Sequence, residues 1–438
     1  MAHRKDMKCE VREKDEISNM LDAKVFCNVR RYTKDGSFSD VKYKKDDNLI
    51  IKGDNLAVLS SILRRFEKKI KCIYIDPPYN TGSDSFNYHD SFKHPTWLTF
   101  MKNRLVLAKR LLRDDGVIFV QCDDNEQAYL KVLMDEIMGR ESFVANLIWQ
   151  KKKGGAQDSK YFAKEHEYIL CYKKEGWHIY DEREEYQKKD FSHVINGRKG
   201  KLLKLEKWGA GSLRTDAPTL YYPIKDPNGC DFYPLAPNGE EGRWRKKPEG
   251  LDDAHIFWKL NSKKRFTPYE VIYFDEVDFK IVKTRTILTD YGTTRDGTKE
   301  IQNLFNKKVF STTKPEKLLH KILSVSTREG DIVLDFFMGS ATTCAVAHKM
   351  GRQYIGIEKM DYIKTISVSR LIKVLEGEGG GISKAVNWGG GGTFIYCELK
   401  EDRQDLGDYI NYSDIDDERV SLSECDREFN ISFYDVGG

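Results

Sequence analysis

The sequence predicts a doubly wound α/β domain split in two by a second, more irregular unit. Three observations carry this. Unbroken apolar runs alternate with helical repeats over 48–154, and again over 311–399. That pattern marks parallel strands buried on both faces by helices. Between them, residues 155–310 hold most of the prolines, many aromatics, short strand signals and few helices.

The elements can be justified in order. Asn48–Lys52 is an apolar run ending at Gly53-Asp54-Asn55, and a helical repeat follows over Leu56–Phe66. Cys72–Ile75 is a strand that runs into Asp76. Trp97, Met101, Leu105, Ala108 and Leu112 share one helix face, with Gly116 expected just past that helix's end. Val117–Gln121 is the next strand. In the second half, Thr313 is expected to cap a helix over 317–324, with Pro315 in its first turn. Ile332–Phe337 reads as a strand, Ala341–Met350 as a helix and Tyr354–Ile357 as a strand ending at Glu358. Gly379–Gly381 and Gly389–Gly392 read as turns before a last strand, Thr393–Leu399. The implied organisation is an N-terminal extension (1–47), a first half-domain (48–154), an insert (155–310), a second half-domain (311–399) and an acidic tail (400–438).

Composition narrows the function. The 438 residues are 39% hydrophobic and 32% charged, which excludes global disorder. No apolar run reaches the ~18–20 residues of a membrane helix. The N-terminus is charged and lacks the apolar core of a secretion signal. Nine cysteines are dispersed with no Cys-x-x-Cys pair, as expected for reduced thiols in a cytoplasmic protein. No metal-ligand spacing and no phosphate-binding P-loop occurs. The net charge of +4 hides an asymmetry: residues 398–438 carry 4 basic against 13 acidic residues, and 155–310 is basic, with Arg243, Arg245, Lys246 and Lys247 clustered. A basic body suits a polyanion such as DNA, although a solvated surface balanced by an acidic tail would look the same.

Two motifs carry chemistry. Asp76-Pro77-Pro78-Tyr79 follows a strand. It could be only a rigid turn. Its place at a strand's carboxyl end instead suits a ligand site. The Asp76 carboxylate and the Pro77 carbonyl could accept the two N–H bonds of an exocyclic amine and aim its lone pair at a methyl donor. Tyr79 could stack on a base taken out of the duplex. The second motif, Asp335-Phe336-Phe337-Met338-Gly339-Ser340-Ala341-Thr342-Thr343, joins a strand, a tight turn and a helix start. Backbone N–H groups there can meet a ligand carboxylate. Glu358 ends the following strand, where an acidic side chain holds ribose hydroxyls. Asp54 could reach the cofactor or merely cap a helix. Lys314 could meet the cofactor's methionine end or merely precede a helix. His166, within His-Glu-Tyr-Ile-Leu, reads as structural.

Together these segments resemble the β-group amino-methyltransferases of DNA adenine, and more narrowly the modification subunits of type III restriction–modification systems. The similarity runs through KGDNLAVL, DPPYNTG, GVIFVQCDDNE, HEYIL, TTKPEKLL and DFFMGSATT, with the catalytic motif before the cofactor motif. It implies a Rossmann-like fold with permuted motif order, and a target-recognition domain in the insert. It further implies catalysis by Asp76–Tyr79, and S-adenosylmethionine held by Phe336–Ser340, with Phe336, Phe337, Gly339 and Ser340 among them, and by Glu358. Asp54, Asp76, Lys314, Asp335 and Thr342 join them as cofactor candidates from the motifs' own placement. Transfer to adenine N6 of duplex DNA is implied, with a homodimer and a separate helicase–nuclease subunit for any cleavage. The rivals are cytosine-N4 transfer, RNA or protein-glutamine transfer, and a silent DNA-binding module. One departure stands out: Ala341 replaces the second glycine of the usual Gly-Ser-Gly-Thr-Thr.

Overall fold

The computed structural model describes residues 26–39, 41, 43–81, 92–154, 160–260, 265–310 and 312–400. The start of the N-terminal extension and the acidic tail beyond residue 400 lie outside the described residues. What is described forms two compact units, one running up to Tyr180 and again from Arg285, the other spanning Asp181–Thr284.

The first unit is built on one eleven-stranded sheet. Its strands are β1 (Phe26–Thr33), β2 (Gly36–Phe38), β3 (Leu49–Lys52), β4 (Ile70–Ile75), β5 (Leu112–Cys122), β6 (Phe143–Gln150), β7 (His166–Lys173), β8 (Ile287–Leu288), β9 (Ile332–Asp335), β10 (Gln353–Glu358) and β11 (Phe394–Leu399). Across the sheet they run β8-β6-β7-β5-β4-β9-β10-β3-β11-β1-β2. The six from β5 to β11 are mutually parallel. β7 lies antiparallel to β5, and β1 antiparallel to β11. The helices are α1 (Asn55–Phe66), α2 (His94–Leu111), α3 (Gln127–Met138), α4 (Thr294–Phe305), α5 (Glu316–Ser326), α6 (Thr342–Lys349) and α7 (Ser369–Leu375). All six residues of β4 are buried. Two apolar cores pack on the sheet, one centred on α1, α2 and α3, the other on α5, α6 and α7.

The connections set the place of the site. From β4 the chain crosses through α2 to β5 on one side. From β9 it crosses through α6 to β10 on the other. The gap between the carboxyl ends of β4 and β9 is therefore the topological switch point, where open sheets of this kind bind ligands.

Several expectations need correction. The helix read from Trp97 ends at Leu111, and Leu112 already opens β5. Gly116 is a strand residue, because Ile70 pairs with Leu112 and the buried Lys71 ties Asp115 through its carbonyl at 2.7 Å and its carboxylate at 2.9 Å. Thr313 does not cap α5; Pro315 occupies the cap position and the helix starts at Glu316. α6 starts at Thr342, preceded by Ala341 in the left-handed conformation at φ 60°, ψ 30°. The insert's expected limits of 155 and 310 also move inward. Residues 166–173 pair across the central sheet as β7, and α4 belongs to the first unit.

The second unit has its own antiparallel sheet in the order 256–260, 266–273, 198–204, 193–195. Its core is small, with Ile195, Val271 and Tyr273 at its centre. Trp244 is fully buried and donates its indole N–H to the Tyr222 carbonyl at 2.7 Å. The basic cluster flanking Trp244 splits accordingly. Arg243 bonds the Gly211 carbonyl and Lys246 pairs with Glu270, while Arg245 and Lys247 are exposed.

Candidate active site

At the switch point lies a cavity of about 500 Å³. Asp54, Asp76, Lys314, Asp335, Phe336, Phe337, Gly339, Ser340, Thr342 and Glu358 all line it, as does Pro78. Pro77 is buried and does not line the cavity, and Tyr79 stands against Asp76. Arg243, Arg245, Lys246 and Lys247 belong to the other unit.

The catalytic-motif loop is held from both ends. Trp97, fully buried on α2, donates its indole N–H to the Pro78 carbonyl at 2.8 Å. Asn80, at φ 58°, turns the chain and bonds Glu126 at 2.7 Å. The Asp76 carboxylate then meets a cation and a hydroxyl. Lys314 Nζ donates to its Oδ2 at 2.5 Å, and the Tyr79 hydroxyl lies 2.5 Å from its Oδ1. Burial pushes the Asp76 carboxyl up from its ordinary value, while Lys314 pulls it back.

The second loop is built around its own acidic groups. Asp335 Oδ1 accepts the Phe337 N–H at 3.0 Å. Burial pushes this carboxyl up to about 7 against hydrogen bonds from Thr343 and Phe337. Glu358 accepts the N–H of Gly339 at 2.9 Å and of Met360 at 3.0 Å, so it braces the glycine turn as well as facing the cavity. A π-helical turn at Ile363–Val368 lets Ser367 donate to the Gly339 carbonyl at 2.6 Å. Arg370 donates to the Thr342 hydroxyl at 2.7 Å. Asp54 does both things weighed for it: it caps α1, accepting the Leu56 N–H at 3.1 Å, and it lines the cavity.

The cavity wall holds residues that sequence reasoning did not select. Phe310 and Tyr362 meet edge to face at 5.3 Å, and Phe100 packs near Phe337 at 5.9 Å. Arg104 stacks on Phe100 and donates to Asn55. Phe310 precedes the Thr-Thr-Lys-Pro run, so its position was a readable signal. Thr313 is 97% buried, its hydroxyl has no hydrogen-bond partner, and it lines the cavity. An unpaired buried hydroxyl is costly. A ligand with polar ends and a flat aromatic ring fits these walls, and S-adenosylmethionine is such a ligand. Glu167 was also missed, although it adjoins His166. It is buried and touches Tyr79, Gln121, Lys151 and Lys314.

With this geometry in place, comparison with known proteins identifies the relatives. The sequence pattern of the DNA methylases matches residues 70–369, more than half of the chain. The chain belongs to the DNA methylase family. A probable type III restriction–modification Mod subunit, HindVI of Haemophilus influenzae, is 37% identical across 95% of this chain and 63% of its own length. The EcoPI Mod subunit of Escherichia phage P1 is 32% identical across 70% of this chain and 55% of its own. The type II methyltransferase M.KpnI of Klebsiella pneumoniae is 33% identical across 67% of this chain and 75% of its own. The chain thus spans between half and two thirds of the length of the two type III relatives. No described helix is long and apolar enough to cross a membrane.

Proposed function

We propose that this DNA methylase transfers a methyl group from S-adenosylmethionine to N6 of an adenine taken out of duplex DNA, as the modification enzyme of a restriction–modification system. The observation that carries the reading is the position of Asp76. Its carboxylate sits at the switch point, on the rim of a cavity with aromatic walls and an unpaired buried hydroxyl.

In this reading Asp76 and the Pro77 carbonyl accept the two N–H bonds of N6. The nitrogen is drawn toward tetrahedral geometry, and its lone pair leaves conjugation with the ring. Tyr79 offers its ring face to the extruded base. Asp335, Glu358 and the Gly339 turn hold the cofactor, with Thr313 meeting one of its polar ends. When bound, S-adenosylmethionine supplies an electrophilic methyl group on a sulfonium. Lys314 opposes the upward push of burial on Asp76 and so favours the ionised form, which accepts rather than donates. Asp rather than Ser at position 76 favours adenine over cytosine N4, by resemblance.

Several finer statements belong to the same reading. The enzyme works in the cytoplasm as a homodimer, beside a separate restriction subunit, and the insert supplies target recognition. The relatives' designation as Mod subunits supports this. The test is direct. DNA exposed to the protein and S-adenosylmethionine is digested to nucleosides and analysed by mass spectrometry. N6-methyladenine is expected; N4-methylcytosine would overturn the adenine assignment, and neither product would overturn the reaction. Sedimentation of the protein alone checks the dimer.

A further inference from the structure

One carboxylate beside Asp76 has no part in the steps above. Glu167 stands second in β7 and is almost fully buried. Its Oε2 accepts from Gln121 Nε2 at 2.6 Å, lies 3.0 Å from the Tyr79 hydroxyl and 3.7 Å from Lys314 Nζ. Its Oε1 lies 3.3 Å from Lys151 Nζ. Tyr79 and Lys314 are the same two groups that grip Asp76, one on each oxygen. The four side chains close a ring: Asp76, Lys314, Glu167, Tyr79 and back to Asp76. A buried carboxylate is retained at a cost unless its partners repay the desolvation. Here the partners are the anchors of the catalytic carboxylate.

We propose that Glu167 is a positioning residue for methyl transfer: by anchoring Lys314 and the Tyr79 hydroxyl it fixes the direction in which Asp76 presents its lone pairs to the amine. This rests on the assignment of Asp76 as the group that accepts the amine N–H. Without Glu167, Lys314 and the Tyr79 hydroxyl each lose the second partner that sets their place. An error in aim of about 1 Å can cost ~10²-fold in rate.

The ring also sets charge. Asp76 is faced by Lys314 from the segment before α5, Tyr79 from its own loop, Tyr74 from β4, Glu167 from β7 and Asp335 from β9. Glu167 is faced in turn by Lys314, Lys151, Tyr79 and, after β5, Asp123. Burial opposes the charge on Glu167, but Lys314, Lys151 and the bonds from Gln121 and Tyr79 hold its carboxyl below its ordinary value. It is therefore anionic and raises Asp76, whereas the Tyr79 hydroxyl lowers Asp76. Removing one or the other must move Asp76 in opposite directions.

The experiment measures single-turnover methyl transfer to duplex DNA by the full chain from pH 5 to 9, together with the binding of S-adenosylhomocysteine and DNA. Glu167→Gln should lower the plateau rate about 10- to 100-fold, change each binding constant by less than about threefold, and shift the acid limb to lower pH. Tyr79→Phe should shift that limb to higher pH. Glu167→Asp, which keeps the charge, should leave the limb near its wild-type position. In the cofactor-free protein, a carbon-13 titration of the Asp76 carboxyl should show the same two opposite shifts. An acid limb unmoved in Glu167→Gln overturns the role. So does a loss of rate matched by equal losses of binding and thermal stability, since that marks a scaffold residue. A wild-type chain that transfers no methyl group to adenine overturns the reaction itself, a result distinct from an active enzyme whose limb stays in place.

Discussion

Asp76 concentrates the chemistry, and its removal is the sharpest test at the residue scale. Asp76→Ala is expected to lower the transfer rate at least ~10²–10³-fold, the usual cost of deleting one preorganised partner of the reacting group. Cofactor binding, followed by calorimetry, should change little, because Asp335, Glu358 and the Gly339 turn remain. Asp335 gives a pH signature. With its carboxyl at about 7, raising the pH from 6 to 8 ionises it. Affinity for the cationic S-adenosylmethionine should strengthen severalfold over that range, and affinity for uncharged-sulfur S-adenosylhomocysteine should gain less. Flat affinities for both would remove Asp335 from the cofactor's surroundings. The cofactor-free protein carries the opposite sign. The folded value lies above the unfolded one, so the stability held by the neutral carboxyl is lost as pH rises through about 7. Ala341 is the third residue of interest. A side chain in the left-handed region costs roughly 1–2 kcal/mol, and glycine escapes most of that. Ala341→Gly should therefore stabilise the protein by about 1 kcal/mol, seen as a melting temperature a few degrees higher. The strand-end acids and the proline turn were legible in the sequence because their types and spacing bear on chemistry by themselves. Glu167 and Thr313 were not, because each is defined by neighbours that only the folded chain supplies.

At the scale of elements, α4 has an unexpected task. Its Gly297 lies so close to the 313–315 backbone that an added Cβ would fall 2.3 Å from the Thr313 carbonyl oxygen and 2.7 Å from the Lys314 carbonyl carbon. Backbone cannot step aside as a side chain can. Gly297→Ala should displace the segment that carries Thr313 and Lys314, and weaken cofactor binding at least several-fold while circular dichroism stays native. Unchanged binding would show that the segment tolerates displacement. Such a contact leaves no mark on local periodicity, which is why α4 read as part of the insert. The parallel strands were legible, since a strand buried on both faces is one apolar run. Their junctions were less so. The end of α2 and the start of β5 share Leu111 and Leu112 without a break, and an apolar pair does not say which of the two elements it serves.

For the whole molecule, the question is how a basic insert contributes to DNA affinity. Arg245 and Lys247 of the basic cluster are exposed and have their charge free of the pairings described, whereas Arg243 bonds the Gly211 carbonyl and Lys246, though its side chain is 42% exposed, is paired with Glu270. Neutralising Arg245 and Lys247 to Gln should weaken DNA binding and reduce the slope of log affinity against log salt by up to about 2, one increment for each lost phosphate contact. Neutralising Arg243 and Lys246 should instead lower the melting temperature. An unchanged salt slope in the first variant would place the DNA path elsewhere. The division into two units was legible from texture alone. Its boundaries were not, because β7 is a central strand reached only after an irregular connection.

The strand order also has a consequence for synthesis. β4 must pair with β9, which follows it by about 250 residues. At ~5–20 residues per second, the ribosome delivers that partner roughly 10–50 s after β4 has emerged. Throughout that interval the apolar edge of β4 is open to foreign strands. Newly made chains should therefore depend on chaperones far more than refolding of the finished protein does.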